Sequence, residues 1–256
     1  MKNVLNLIIK AIPLAIFLFL WEYMISINDR NIFLYSKPSL IWGALRENIQ
    51  NGILIKDIGI TGLETLSGFL LGNMLGLVLG FSLWFSDKVA FITKPYIIAI
   101  GAIPIFSLAP MTIMWFGTGF FAKAMMATLS TFTVALVQSY NGAQSVEIDQ
   151  INLLRTFGAS RFIIFRKVIM PSSFMWVLSS LRMNVGFALL GSFIGEFITA
   201  EAGLGFRIIK ASSLYNTSLV FAAILCLIFL AFIFNWLVSR LETGVQGWRM
   251  IELPNV

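Results

Sequence analysis

The feature that most constrains this chain is the recurrence of long apolar runs almost without charge. The last is the clearest: from Leu219 to Val238 there is no Asp, Glu, Lys or Arg. A helix needs about 20 mostly apolar residues to cross the hydrocarbon of a bilayer, and this run is long enough. The whole chain follows suit. Of its 256 residues 58% are hydrophobic and 12% charged, with a mean hydropathy of +0.88, against roughly 25% charged in a soluble domain. A soluble core of this size cannot hide that deficit. A transmembrane β-barrel would show alternating segments of about ten residues. The runs here are continuous, so an all-α membrane protein is expected.

Six spans are expected, at about 4–27, 58–85, 89–116, 120–138, 172–194 and 219–238, in one transmembrane domain covering residues 1–256. Lys2 and Lys10 favour a cytoplasmic N-terminus, and six crossings return the C-terminus to the same side. The first run is too long for a signal-peptide core and no obvious cleavage site follows it, so it reads as a retained span. Pro38 to Ile49 reads as a short external amphipathic helix. In the second span Gly68, Gly72, Gly76 and Gly80 recur every four residues, a spacing that lets two helices approach backbone to backbone. Pro95, Pro104 and Pro110 are expected to bend the third span. The fourth is rich in Ala, Thr and Ser and suits a packed interior position. Residues 196–217, with Glu196, Glu201, Arg207 and Lys210, read as an external segment.

Four polar residues inside the spans stand out: Glu64, Asn73, Arg182 and Asn184. Intramembrane polar groups either line a path or pair with one another. Both readings stand, with Glu64 and Arg182 as one possible pair.

The longest gap between the expected spans contains residues 145–171, SVEIDQINLLRTFGASRFIIFRKVIMP. It reads as a helix, a turn and a second helix at the cytoplasmic surface. Ile148, Ile151 and Leu154, with Leu153 beside them, form an apolar stripe. Glu147 and Asp149 suit the positive end of the helix dipole. Gly158 can end the helix in the left-handed conformation and Ser160 can cap the next. Phe162, Phe165 and Ile169 repeat at helical spacing, and Pro171 breaks that helix or opens the following one.

Several functions are excluded or weakened. The net charge of +6 comes from scattered residues flanking spans and gives no nucleic-acid footprint. With no histidine and a single cysteine, Cys226, a disulfide within the chain is excluded and a His/Cys metal site is implausible. No phosphate-binding loop or serine-nucleophile elbow occurs, so any ATP that drives this protein binds another chain. Glu64, Arg182 and Glu196 do not form a recognisable catalytic set, which weighs against an intramembrane enzyme. An ATPase-independent secondary transporter or channel remains the main rival, weakened by the lack of an inverted repeat.

Residues 146–171 resemble the cytoplasmic loop of binding-protein-dependent ABC importer permeases. That family's usual pattern is E-A-A, three residues, G, nine residues, I, any residue, L-P. Asn152-Leu153-Leu154 stands in place of E-A-A, Gly158 is the motif glycine, and Val168-Ile169-Met170-Pro171 matches the ending conservatively. The run Arg155 to Arg161 is similar to the nitrate/sulfonate/taurine branch. So are Lys37-Pro38-Ser39, Ala102-Ile103-Pro104, Trp115 to Gly119 and Gly203-Leu204-Gly205. The resemblance implies a type I importer permease fold and a non-catalytic subunit of the bacterial inner membrane. It implies a homodimer or paired permease, two ATPase subunits that carry ATP and Mg, an extracytoplasmic binding protein, and no cofactor in this chain. Asn152, Leu153, Leu154, Arg155, Gly158, Ala159, Ser160 and Arg161 would couple to the ATPase. The substrate implied is a nitrate-, sulfonate- or taurine-type anion, for which Arg182, Arg207 and Lys210 are suitable. Thiamine-precursor pyrimidines or riboflavin are the alternative within the branch.

Overall fold

The computed structural model describes the backbone of residues 2–199 and 201–251. Over that range the chain is helical from end to end, broken only by turns. Two compact units are distinguished: residues 1–60 with 201–228, and residues 61–200 with 229–256.

The first unit holds α1 (Lys2–Ser26), α2 (Asp29–Tyr35) and α3 (Pro38–Gln50). It also holds the start of α4 (Ile53–Ser82), α12 (Leu204–Ser213) and the start of α13 (Thr217–Ile251). Short polar ties hold it. Glu22 accepts hydrogen bonds from the Ser39 backbone N–H at 2.9 Å and the Ser39 hydroxyl at 2.8 Å, which pins the Lys37-Pro38-Ser39 turn to α1. Asp57 is 1% exposed. It takes the Arg207 Nε at 2.7 Å and the Gly203 N–H at 3.1 Å, joining α4 to the start of α12. Gly203 has φ +110°, which L side chains rarely adopt.

The second unit centres on α7 (Phe120–Gln144), packed between α4 and α11 (Phe174–Thr199). Alternation of small residues explains the fit. A methyl group added at Gly68, Gly72, Gly76 or Gly80 would overlap α7 at Ala127, Thr131, Ala135 or Ser139. The backbones are close enough for the Thr131 and Ser139 hydroxyls to donate to the Gly68 and Gly76 carbonyls, both at 3.3 Å. Gly191 and Gly195 of α11 meet α7 from the other side at Ala127 and Lys123. The expectation of an interior fourth span thus holds: α7 is the most buried of the long apolar helices.

Among the described residues, four helices are long and apolar enough to cross a membrane: Ile53–Phe85, Phe120–Gln144, Phe174–Ile198 and Thr217–Thr243. The expected third span is not one helix. α5 (Asp87–Gly101) is followed by a 3-10 turn (Ile105–Leu108) and α6 (Ala109–Phe116), at an angle of 89°. Pro104 is the cause. It lacks an N–H and sits extended at ψ 121°, and it disfavours helical geometry at Ile103. Pro95 stays inside α5, and Pro110 falls in the first turn of α6, where it is tolerated. The bent pair counts as a fifth span if taken together, and in α1 the described residues Ile12–Ser26 are apolar.

Candidate functional site

The stretch 145–171 folds as α8 (Ile148–Thr156), a turn, α9 (Arg161–Ile164), a π turn (Phe165–Ile169) and α10 (Met170–Ser172). Local chemistry dictates each boundary. Asp149 lies in the first turn of α8. At its end the Gly158 N–H donates to the Arg155 carbonyl at 2.9 Å and the Ala159 N–H to the Leu154 carbonyl at 3.0 Å. That crossed pair is the Schellman closure, and it needs the φ of +77° that Gly158 adopts. Ser160 caps α9 by accepting from the Ile163 N–H at 3.4 Å.

The segment is bolted to the spans. Ile151, Ile164 and Ile169 are buried with Ala143 of α7, and Phe81, Trp84, Leu154, Ala159 and Phe165 pack around them. The Phe165 ring lies 5.6 Å from Phe81, 5.9 Å from Trp84 and 5.0 Å from Phe85. Arg161 donates to the Phe85 carbonyl at 2.6 Å. Arg161 and the Phe165 ring thus tie the segment to the end of α4 and the turn after it, and Ala143 ties it to α7.

The outer face is free. Asn152, Leu153, Arg155, Gly158, Ser160 and Arg161 are exposed, and Leu154 and Ala159 are half-buried. Phe157 is 79% exposed and Phe162 64%. The expected apolar stripe is split: Ile151 and Leu154 face the body, whereas Ile148 and Leu153 face outward. Phe162 likewise points away from the core that holds Phe165 and Ile169. Arg155 approaches the Asn152 side-chain oxygen at 3.5 Å, so this pair forms a polar patch within the apolar face.

The polar candidates inside the spans prove to be partnered. Asn184 donates to Asn73 at 2.7 Å and to the Thr131 carbonyl at 3.1 Å, a buried tie across α4, α7 and α11. Glu64 and Arg182 do not pair. Glu64 faces Lys123 of α7, with Nζ to carboxylate oxygen 3.6 Å, while Arg182 pairs with Glu242 of α13. Lys123 is the partner that reading by runs missed. A lone cation and a lone anion, each within an apolar helix, was the available signal. Glu196 is also corrected. α11 continues past residue 194, so Glu196 is a buried helical residue accepting from Thr61 at 2.6 Å. Of the residues offered for an anion, Arg182 is neutralised by Glu242 and Arg207 by Asp57, and Lys210 sits 5.5 Å over the Phe206 ring. A cation not singled out from the sequence, Lys94, lines a cavity of about 220 Å³ with Tyr140, Asn141 and Leu136.

Helices long and apolar enough to cross a membrane, with a short helix beside them that is packed on one face and exposed on the other, suit a membrane transport subunit. The comparisons agree. The sequence pattern of the family described as "Binding-protein-dependent transport system inner membrane component" matches residues 72–247, and the chain belongs to that family. It is an ABC transporter permease subunit, without catalytic function of its own, with ATP hydrolysis on a separate ATPase. A Haemophilus influenzae protein described as a probable ABC transporter permease is 27% identical over 92% of this chain and 97% of its own. The formylaminopyrimidine transport permease ThiX of Halalkalibacterium halodurans is 29% identical over 71% of this chain and 73% of its own. SsuC of Bacillus subtilis, named for aliphatic sulfonates transport, is 25% identical over 95% of this chain and 87% of its own. Among solved structures, the inward-facing MetNI methionine ABC transporter superposes with a TM-score of 0.68 at 19% identity, over 77% of this chain and 97% of that one, which establishes the shared fold.

Proposed function

We propose that two copies of this chain, or this chain and a similar permease, form the membrane path of an ATP-driven importer fed by an extracytoplasmic binding protein. Six spans, counting α1 and the bent pair as one each, leave both termini in the cytoplasm of a bacterial cell. Residues 145–171 then lie in the cytoplasm. Asn152, Leu153, Leu154, Arg155, Gly158, Ala159, Ser160 and Arg161 present the docking face for an ATPase subunit, where ATP and Mg bind. The observation that carries this reading is the Schellman-closed α8, exposed on one side and packed toward α4 and α7 on the other. Asn152 at the motif glutamate position takes a polar partner on the ATPase where the family pattern would take a charged one.

The substrate we propose is a small sulfonate-, taurine- or nitrate-type anion. Similarity to the sulfonate permease over nearly the whole chain supports it, as does Lys94, the one cation among the described residues that line a mostly apolar cavity. A second reading, a pyrimidine precursor of thiamine, rests on the likeness to ThiX.

Coexpression with the ATPase and binding protein encoded beside it is the test. A stable complex with ATPase activity stimulated by the loaded binding protein is expected, and the ligand that co-purifies with the binding protein identifies the substrate. Uptake by this chain alone, without any ATPase, overturns the reading.

A further inference from the structure

Beside the coupling segment an open apolar groove of about 530 Å³ runs along the second unit. Leu77, Val78, Phe81 and Phe85 form one wall, with Phe165 and Val177 opposite. Ser82 is its one hydroxyl-bearing wall residue among those described. From Leu77 to Phe85 the wall extends roughly 12 Å at the helical rise. An open slot lined almost wholly by apolar side chains, in a chain with membrane-crossing helices, suits a hydrocarbon chain.

Exposed cations lie near it in the chain. Arg166 and Lys167 are exposed on the π turn directly after the wall residue Phe165, and Arg161 is exposed while bound to the carbonyl of the wall residue Phe85. An apolar slot beside these cations is complementary to an anionic amphiphile. We propose that this groove holds an acyl chain of an anionic phospholipid, with its headgroup phosphate held by Arg166 and Lys167. Because Phe165 belongs both to the groove wall and to the ring cluster that anchors the coupling segment, an occupied groove stiffens the same joint that transmits force.

The test uses the full chain, purified in mild detergent, stripped of lipid and titrated with phosphatidylglycerol or phosphatidylcholine under native mass spectrometry. Each surface cation contributes about fivefold to anionic-lipid affinity, so phosphatidylglycerol is expected to bind about 25-fold more tightly. The exposed double variant Arg166→Gln/Lys167→Gln removes that preference. Val78→Trp, which fills the slot, weakens both lipids. Glycerol phosphate does not compete. A photo-reactive residue at Val78 cross-links to lipid. Equal affinity for the two lipids, a preference that survives the double variant, competition by glycerol phosphate, or cross-linking to a second permease chain would each overturn the proposal.

Discussion

At the scale of single residues, burial separates ion pairs that matter from those that do not. Lys123 and Glu64 have side chains 7% and 1% exposed, whereas those of Lys37 and Glu22 are 24% and 34% exposed. Removing one partner of a buried pair leaves the other desolvated and without its contact, at about 1–3 kcal/mol. An exposed pair contributes about 0–1 kcal/mol. Lys123→Met is therefore expected to lower the thermal midpoint in detergent sharply, with Lys37→Met close to wild type. Equal midpoints for the two variants would show that the Lys123 contact adds nothing to packing. Arg182 lies between these extremes, since its own side chain is largely exposed while that of Glu242 is 9% exposed.

At the scale of elements, the coupling turn is where a small change has a defined effect. A Cβ at Gly158 meets nothing within 4 Å, so a substitution there acts through backbone strain alone. Holding an L residue in the left-handed region costs about 1–2 kcal/mol. Gly158→Val is expected to open the Schellman closure and leave the spans inserted. In proteoliposomes with the ATPase it should lose substrate uptake while ATP hydrolysis persists. Normal coupled uptake would remove this turn from the transmission path.

The coupling turn was also the most legible part of the chain, because its rules are local. A glycine, a cap and a proline a few residues apart specify a turn wherever they occur. The same holds for the four-residue glycine spacing of α4, which predicted a close helix contact without naming α7. What sequence could not supply was pairing at a distance. Glu64 lies 59 positions from Lys123, and only packing decides that it faces that lysine and not Arg182. The division of Ile148, Ile151, Leu153 and Leu154 between two faces was hidden for a related reason. Apolar periodicity marks what leaves water, and an outward docking face is apolar too.

At the scale of the whole molecule, a closely packed set of helices contrasts with an interrupted pair. α7 lies among small residues with polar ties to both neighbours, so α4, α7 and α11 act as one block. The bent pair has no comparable continuity. Past the end of α5 at Gly101, the Ala102 and Ile103 amides still answer the Ile98, Ala99 and Ile100 carbonyls, but Pro104 has no amide to carry the ladder on. Hydrocarbon cannot satisfy bare peptide groups, so such a break is tolerated only where protein or water does. The consequence expected is a corner that water can reach. A cysteine at Ile103 should react with a membrane-impermeant thiol reagent about tenfold or more faster than one at Phe229, which is exposed on α13 and should meet only lipid tails. Equal rates would mean the corner is dry.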